Sequence, residues 1–399
     1  MEISQSSFRQ STSDAALDRP EFMATVKPGS STGKHLSVDI SVAGKFHAFH
    51  LASALSVKSR LRDLYSAHRN LLPPPGVPNG SYHNRIDFAA WGHLSRFLPL
   101  GYTGERRAEK FDNWVAKKLL RRAPGVLHAW NGNSIETFRQ LRGRGWRLCV
   151  ERSCPHNLVQ FELLREEASN LGMIHQQDMR ALDRAIEELH LADVIVAPST
   201  YSARSYGNSD LARKVRVNPL GANVPYRERN SPKGPLKIVM VGNSFLRKGT
   251  HYLIEAFKQM RDPDARLWIR GDVPDTYRPR VRDSRITIFP PMLPDALRRL
   301  YQSANVFVQA SIDEGFGMAV FEALGYGLPL VVTENVGAND LLNKDVAITV
   351  PIRDPDALVR GIEAAVALPG ENFDKARKQV LEANSWLACA ERMLDTVYR

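Results

Sequence analysis

From Leu36 onward the chain alternates short apolar runs with segments of helical period. In the first half, "LSVDISV" predicts a strand that closes in a glycine-containing turn, followed by an amphipathic helix over Phe46 to Ser59. "GVLHAW" and "WRLCVE" predict two more strands. "MRALDRAIEELHLADVIVAPST" predicts a helix feeding the apolar strand Val194 to Ala197, and "KVRVNPLGANV" a strand ending in a turn. The consecutive prolines of "LLPPPGVPNGSY" forbid a regular helix and mark a loop.

The second half is more regular. Strands "LKIVMVG", "ARLWIRG", "RITIFP", "NVFVQA", "PLVVTE" and "VAITV" are interleaved with helices "THYLIEAFKQM", "PDALRRLYQS" and one near Met318 to Tyr326. Buried-looking strands alternating with crossover helices predict doubly wound parallel α/β units, two in this chain, facing each other across a cleft. Three helices are expected from about Asp354 to the end. The charged, proline-bearing "PYRERNSPKGP" lacks periodicity and is the expected boundary. The resulting division is a Ser/Thr/Gly/Pro-rich tail (1–34), a first domain (35–224), a linker (225–235), a second domain (236–375) and a terminal helical segment (376–399) that packs back on the first domain.

Composition changes this picture little. At 399 residues the chain exceeds one hydrophobic core, which agrees with two domains. Three cysteines without CxxC spacing argue for a reducing compartment and no structural zinc. No run is long and apolar enough to span a bilayer, and "MEISQSSFRQSTSDAALDRP" lacks the regions of a signal peptide, so a cytoplasmic location is expected. The net charge of +11 favours anionic partners without choosing among nucleotides, nucleic acid and an anionic membrane.

In open parallel sheets, ligands bind where strand-end loops meet helix N-termini. Two such loops carry suggestive chemistry. In "VGNSFLRKGTHYLIEAF", Gly242 permits a tight exit, Ser244 offers a hydroxyl, and Arg247 and Lys248 precede the helix, a setting that attracts phosphate or diphosphate. The bland reading is a helix start with solvated basic residues. In "DEGFGMAVFEALGYGLP", Gly315 and Gly317 permit a turn with inward amides, and Glu314 suits a neutral polyol better than a phosphate. Glu322 falls about one turn inside the following helix, where it can face the same ligand. Against this stand an N-terminal carboxylate favoured by the helix dipole and a surface glutamate. The expectation is that a polyhydroxylated ligand completes the hydrogen bonds of both.

"DEGFGMAVFEALGYGLPLVVTENVGAND" resembles the donor-site signature of retaining nucleotide-sugar glycosyltransferases of GT-B architecture, the large family 4. It sets Glu314, seven intervening residues, Glu322, Gly327, Pro329 and Gly337 in order. The resemblance extends through "VGNSFLRKGTHYLIEAF" and "LADVIVAPSTYSARSY". It implies that the second domain holds the donor and the first the acceptor. Glu314 would lie beside donor-sugar hydroxyls, with the amides of Gly315, Phe316, Gly317 and Met318 on sugar and diphosphate. Glu322 would bind the ribose, and Lys248 would neutralise the diphosphate.

Asn243 stands where many members have an arginine, and Arg247 is the candidate substitute. Ala43, Gly44 and Lys45 resemble the loop near the donor phosphates and acceptor. Where the family often has a histidine, this chain has Glu151 and Arg152, with His156 later, and all three stay candidates. The resemblance implies no tightly bound cofactor or metal, a nucleotide-sugar donor and a glycan or lipid-linked acceptor, in cell-surface polysaccharide or glycolipid synthesis.

The rival enzymatic reading is an epimerase or phosphorylase on the same architecture. Outside enzymes, the rivals are a noncatalytic scaffold and a basic nucleic-acid-binding protein. The last lacks any recognition helix, zinc framework or aromatic RNA motif, so no specific nucleic acid is expected. The basic stretches "SVKSRLRDLYSAHR", "GERRAEKFDNWVAKKLLRR" and "RQLRGRGWR" suit peripheral contact with an anionic membrane. Trp114 among them is either an interface residue or core.

Overall fold

The structure is a computed structural model that describes residues 36–44, 46–68, 71–87, 104–229 and 232–399. The N-terminal tail and Lys45 lie outside the described residues. In chain order the first part contains β1 (Val38–Val42), α1 (Ala48–Val57), β2 (Leu61–Ser66), β3 (Tyr82–Asn84), α2 (Gly104–Leu119), β4 (Val126–Trp130), α3 (Ile135–Leu141) and β5 (Arg147–Glu151). There follow α4 (Asn157–Asn170), α5 (Met179–Leu191), β6 (Val194–Ala197), α6 (Thr200–Arg204) and β7 (Val215–Val217). The second part contains β8 (Lys237–Val241), α7 (Thr250–Gln259), β9 (Arg266–Arg270), β10 (Ile286–Phe289), α8 (Pro294–Gln302), β11 (Val306–Gln309), α9 (Met318–Gly325), β12 (Leu330–Thr333) and β13 (Ala347–Val350). It ends in α10 (Pro355–Val366), α11 (Glu371–Ala383) and α12 (Trp386–Arg392).

The strands form two parallel sheets, ordered β3-β2-β1-β4-β5-β6-β7 and β10-β9-β8-β11-β12-β13. Both are Rossmann-like, and each reverses its strand order once, between β1 and β4 and between β8 and β11. The loops leaving those strands therefore flank the crevice where such sheets bind ligands. The central strands are buried on both faces, and β8, β11 and β12 are mainly apolar, as helix-covered parallel sheets require.

One expected helix is shorter than its sequence pattern, and one strand falls where the sequence pattern predicts no element. The helix expected over Phe46 to Ser59 starts at Ala48, and Phe46 takes a left-handed φ of 36° in the turn before it. The charged segment around Arg62 forms β2, because its charges are paired. Arg62 Nε donates to Asp39 Oδ2 at 3.0 Å, while Asp63 meets His83 at 2.8 Å and Arg122 at 2.7 Å. Trp114 packs edge-on against Tyr65 and beside Phe111, which favours its core reading.

After α11 the chain returns to the first sheet. Ala222 N donates to Asn384 O at 2.7 Å, and Trp386 N donates to Asn223 Oδ1 at 3.1 Å. α12 lies against α1, and Arg147 Nε donates to Val397 O at 2.9 Å. No helix among the described residues is long and apolar enough to cross a membrane.

Candidate active site

The loop after β8 and the loop after β11 meet at the switch point of the second sheet. Their centre is the Glu314 carboxylate. Lys248 Nζ donates to Glu314 Oε2 in a close ion pair, and Arg247 Nη1 donates to the same oxygen at 3.0 Å. Arg247 also donates to Asp313 O, while its own carbonyl accepts from Ile312 N at 3.0 Å, so the two loops are stitched together. Burial alone would raise the Glu314 pKa; the Lys248 and Arg247 charges outweigh it and hold the carboxyl below its ordinary value. The side chain of Lys248 runs over Gly242, where a Cβ would overlap its Cε, which gives that glycine its use.

The expectation that a ligand must complete the hydrogen bonds of both glutamates is therefore corrected. The chain supplies partners for each: the two cations for Glu314, and for Glu322 the Tyr301 hydroxyl, which donates to Oε2 at 3.0 Å. Burial raises the Glu322 pKa, partly offset by Tyr301 and Arg270. Glu322 sits one turn inside α9.

Gly315, Phe316 and Gly317 form the buried turn between Glu314 and α9, with Met318 its first helical residue. Their carbonyls are used: Ser199 Oγ donates to Gly315 O at 2.7 Å, and Ala338 N to Phe316 O at 2.7 Å. Among the described residues, no group accepts from the amides of Gly315, Phe316 or Gly317. Successive unpaired amides at a buried turn make an anion-binding concavity.

Asn243 and Ser244 are exposed on the rim. Ser244 N donates to Asp272 Oδ1 at 2.6 Å, and Arg270 Nη1 donates to Asn243 Oδ1 at 3.1 Å. Arg270, at the end of β9, was not singled out in the sequence. Its Nε is buried without a partner among the described residues, and its charge acts on Glu322. Its place at a strand's carboxyl end was the available signal.

The first sheet closes over this loop from the other side. Gly315 lies against the Ser153 carbonyl so closely that any Cβ would overlap it. Asp313 accepts from Gln160 Nε2 at 2.5 Å and from the Tyr201 hydroxyl at 3.2 Å. Buried Glu167 of α4 accepts from Tyr252 at 2.7 Å and Arg353 at 2.8 Å, and pairs with His251 at 2.8 Å.

The three first-domain candidates separate. His156 caps α4, its Nδ1 accepting from Leu158 N at 3.3 Å, and it packs edge-on against Tyr206. Burial, with Arg152 and His190 adding to it, brings its pKa down to about 4. No described contact joins it to Glu314, Lys248 or Arg247. Arg152 braces Pro155 O and Gln160. Glu151 is buried beside two histidines that the sequence reading passed over, His47 and His128. Gly44, three residues before His47, accepts from Ser66 Oγ at 3.3 Å.

Residues 226–384, which contain both loops, match the family described as Glycosyl transferases group 1. The match covers the whole of the second domain. An uncharacterized glycosyltransferase of Methanocaldococcus jannaschii is 32% identical over 174 residues, 41% of this chain and 44% of that protein. Matches to curated relatives span about half of those proteins' lengths or less. Sucrose-phosphate synthase from Thermosynechococcus elongatus superposes with a TM-score of 0.67 at 19% identity, over 90% of this chain and 97% of that one. Anabaena HepE in complex with UDP-glucose gives 0.61 at 14%, over 91% and 99%. These likenesses show the fold as GT-B, with the segment that matches the family in the second position.

Proposed function

We propose that the protein is a retaining glycosyltransferase that moves a hexose from a UDP- or GDP-sugar to a hydroxyl of a glycan or lipid-linked acceptor. The observation that carries the reading is the junction of Glu314, Lys248 and Arg247 beside the unpaired amides of Gly315 to Gly317. Lys248 and Arg247 bring two cations to a water-poor site, a setting suited to a diphosphate that gains negative charge as it departs. Lys248 and Arg247 stabilise that leaving group, with the turn amides. Glu314 accepts from donor-sugar hydroxyls, and Glu322 anchors the ribose diol. Arg270, beside Asn243 and Glu322, supplies the positive charge that an arginine at 243 gives in similar proteins.

Closure of the first domain over the loop excludes water and aligns the acceptor oxygen with the anomeric carbon. Transfer on the face the diphosphate leaves gives retention. The basic face of α2, with Lys110, Lys117 and Lys118 exposed, suits a lipid-linked acceptor at an anionic membrane. No tightly bound cofactor is required.

The test is turnover of purified UDP- and GDP-sugars with octyl glycosides as acceptors, with the product anomer read by NMR coupling constants. Release of nucleotide diphosphate with an α-linked product from an α-linked donor supports the reading. Interconversion of the sugar without nucleotide release indicates an epimerase, and absence of turnover with salt-sensitive binding to random duplexes indicates the nucleic-acid reading. Flotation with vesicles of rising anionic lipid content tests the membrane face.

A further inference from the structure

The first sheet reverses its order between β1 and β4, and His47 follows β1 there. Glu151 ends β5, and His128 lies within β4. The three meet in the core of the first domain: Glu151 pairs through Oε1 with His47 Nε2 and through Oε2 with His128 Nε2 at 3.2 Å. The Glu151 and His128 side chains are fully buried, and the His47 side chain is 13% exposed. Burial raises the Glu151 pKa, but the two imidazoles outweigh it and hold the carboxylate ionised. An ionised group in a core costs several kcal/mol unless it is fully hydrogen-bonded. Here it is spent on fixing two imidazole rings.

The proton accounting sets the two histidines apart. The Tyr398 hydroxyl lies 3.0 Å from Nδ1 of His128. With Nε2–H of each ring directed to Glu151, Nδ1 is the lone-pair nitrogen, and in His128 a hydroxyl occupies it. No described residue occupies Nδ1 of His47. In the same cluster the indole N–H of Trp130 is buried without a partner among the described residues. The Trp130 ring is edge-on to His47 at 5.4 Å between centroids. The lone pair of His47 Nδ1, on a side chain that keeps 13% exposure, is an acceptor suited to a hydroxyl proton.

Ser153 connects this cluster to the donor-side loop. Its hydroxyl donates to Glu151 Oε1 at 2.9 Å, and its carbonyl lies against Gly315, the residue after Glu314. We propose that His47 Nδ1 accepts a hydrogen bond from the attacking hydroxyl of the acceptor. Glu151 is the positioning residue that holds the His47 ring in the tautomer this needs. The inference rests on the glycosyl-transfer reading and names its acceptor-side residues.

The test uses the full chain with UDP-glucose, UDP-galactose, UDP-N-acetylglucosamine and GDP-mannose as donors, and octyl glycosides as acceptors. Transfer to glycoside is measured against donor hydrolysis. His47→Ala is expected to lower the transfer-to-hydrolysis ratio about 10²-fold by loosening the acceptor. His47→Asn returns a polar atom near the place of Nδ1 and recovers part of the loss. His47→Gln returns one only near Nε2 and does not. His50→Gln, which alters the neighbouring ring stacked on Trp386, leaves the ratio unchanged.

Equal ratios in wild type and His47→Ala overturn the proposal while leaving the glycosyl-transfer reading intact. So does a parallel fall of transfer, hydrolysis and melting temperature, which marks a purely structural cluster. A wild-type chain that consumes none of the four donors, by transfer or by hydrolysis, overturns the reading beneath it, and the assignment of His47 with it.

Discussion

Replacing Glu314 by glutamine removes one negative charge from between two cations while keeping the shape of the side chain. Lys248 is 7% exposed and the Arg247 side chain 21%, so water reaches neither freely. At 3.0 Å and an effective dielectric constant near 20, the Arg247 contact alone has a Coulomb energy of about 5.5 kcal/mol. Desolvation of the ions takes back much of that in the wild type. Once the carboxylate is gone, the desolvation of Lys248 is left uncompensated.

The expected net cost is about 3 kcal/mol, at the lower end for a broken buried pair because Arg247 retains some solvent. That corresponds to a fall of roughly 6–12 °C in the melting temperature of the second domain. The double variant Lys248→Met, Glu314→Leu removes cation and anion together and is expected to regain about 2 kcal/mol relative to the sum of the single changes. The measurement is a double-mutant cycle by urea denaturation with calorimetry. A Glu314→Gln protein as stable as wild type, or strictly additive single changes, refutes the claim that the ion pair holds the two loops together.

Glu151 and Glu314 both have folded pKa values below the ordinary 4.5, so their stabilisation is complete above that value and is lost as pH falls through the folded values. Melting temperature should drop as the medium is acidified below about pH 4.5, less steeply in Glu151→Gln; parallel curves would exclude Glu151 as a source. Gly315→Ala forces a methyl group against the Ser153 backbone, with an expected cost of about 1–3 kcal/mol and a larger loss of transfer, read by calorimetry and turnover. Glu322→Ala should raise the donor KM by about tenfold or more with a smaller change in kcat, since it removes binding shared by ground and transition states. An unchanged KM would remove Glu322 from the donor site.

The Rossmann-like alternation was readable because parallel strands buried on both faces leave continuous apolar runs, as in "LKIVMVG" and "NVFVQA". β2 was not, because Arg62 and Asp63 look like surface until their partners Asp39, His83 and Arg122 arrive from elsewhere in the chain. The same limit governed the site. Glu314, Arg247 and Lys248 stood in loops with recognisable punctuation, yet nothing local indicated that they bind one another across more than sixty residues. His47 and His128 are separately unremarkable and Glu151 was a candidate by its position alone, and only the sheet order, with β1, β4 and β5 adjacent, makes them a group. His156, the visible histidine, is occupied as a helix cap.

The chain passes between its two sheets twice, once near residues 218–236 and again near 384–386, and the two passages are hydrogen-bonded side by side through Ala222 with Asn384 and Asn223 with Trp386. A single covalent tether allows swivelling in every direction. Two parallel tethers bonded to each other allow bending about the line they share and resist torsion. The loops bearing Glu314 and Ser153 therefore owe part of their register to a backbone seam far from either in sequence.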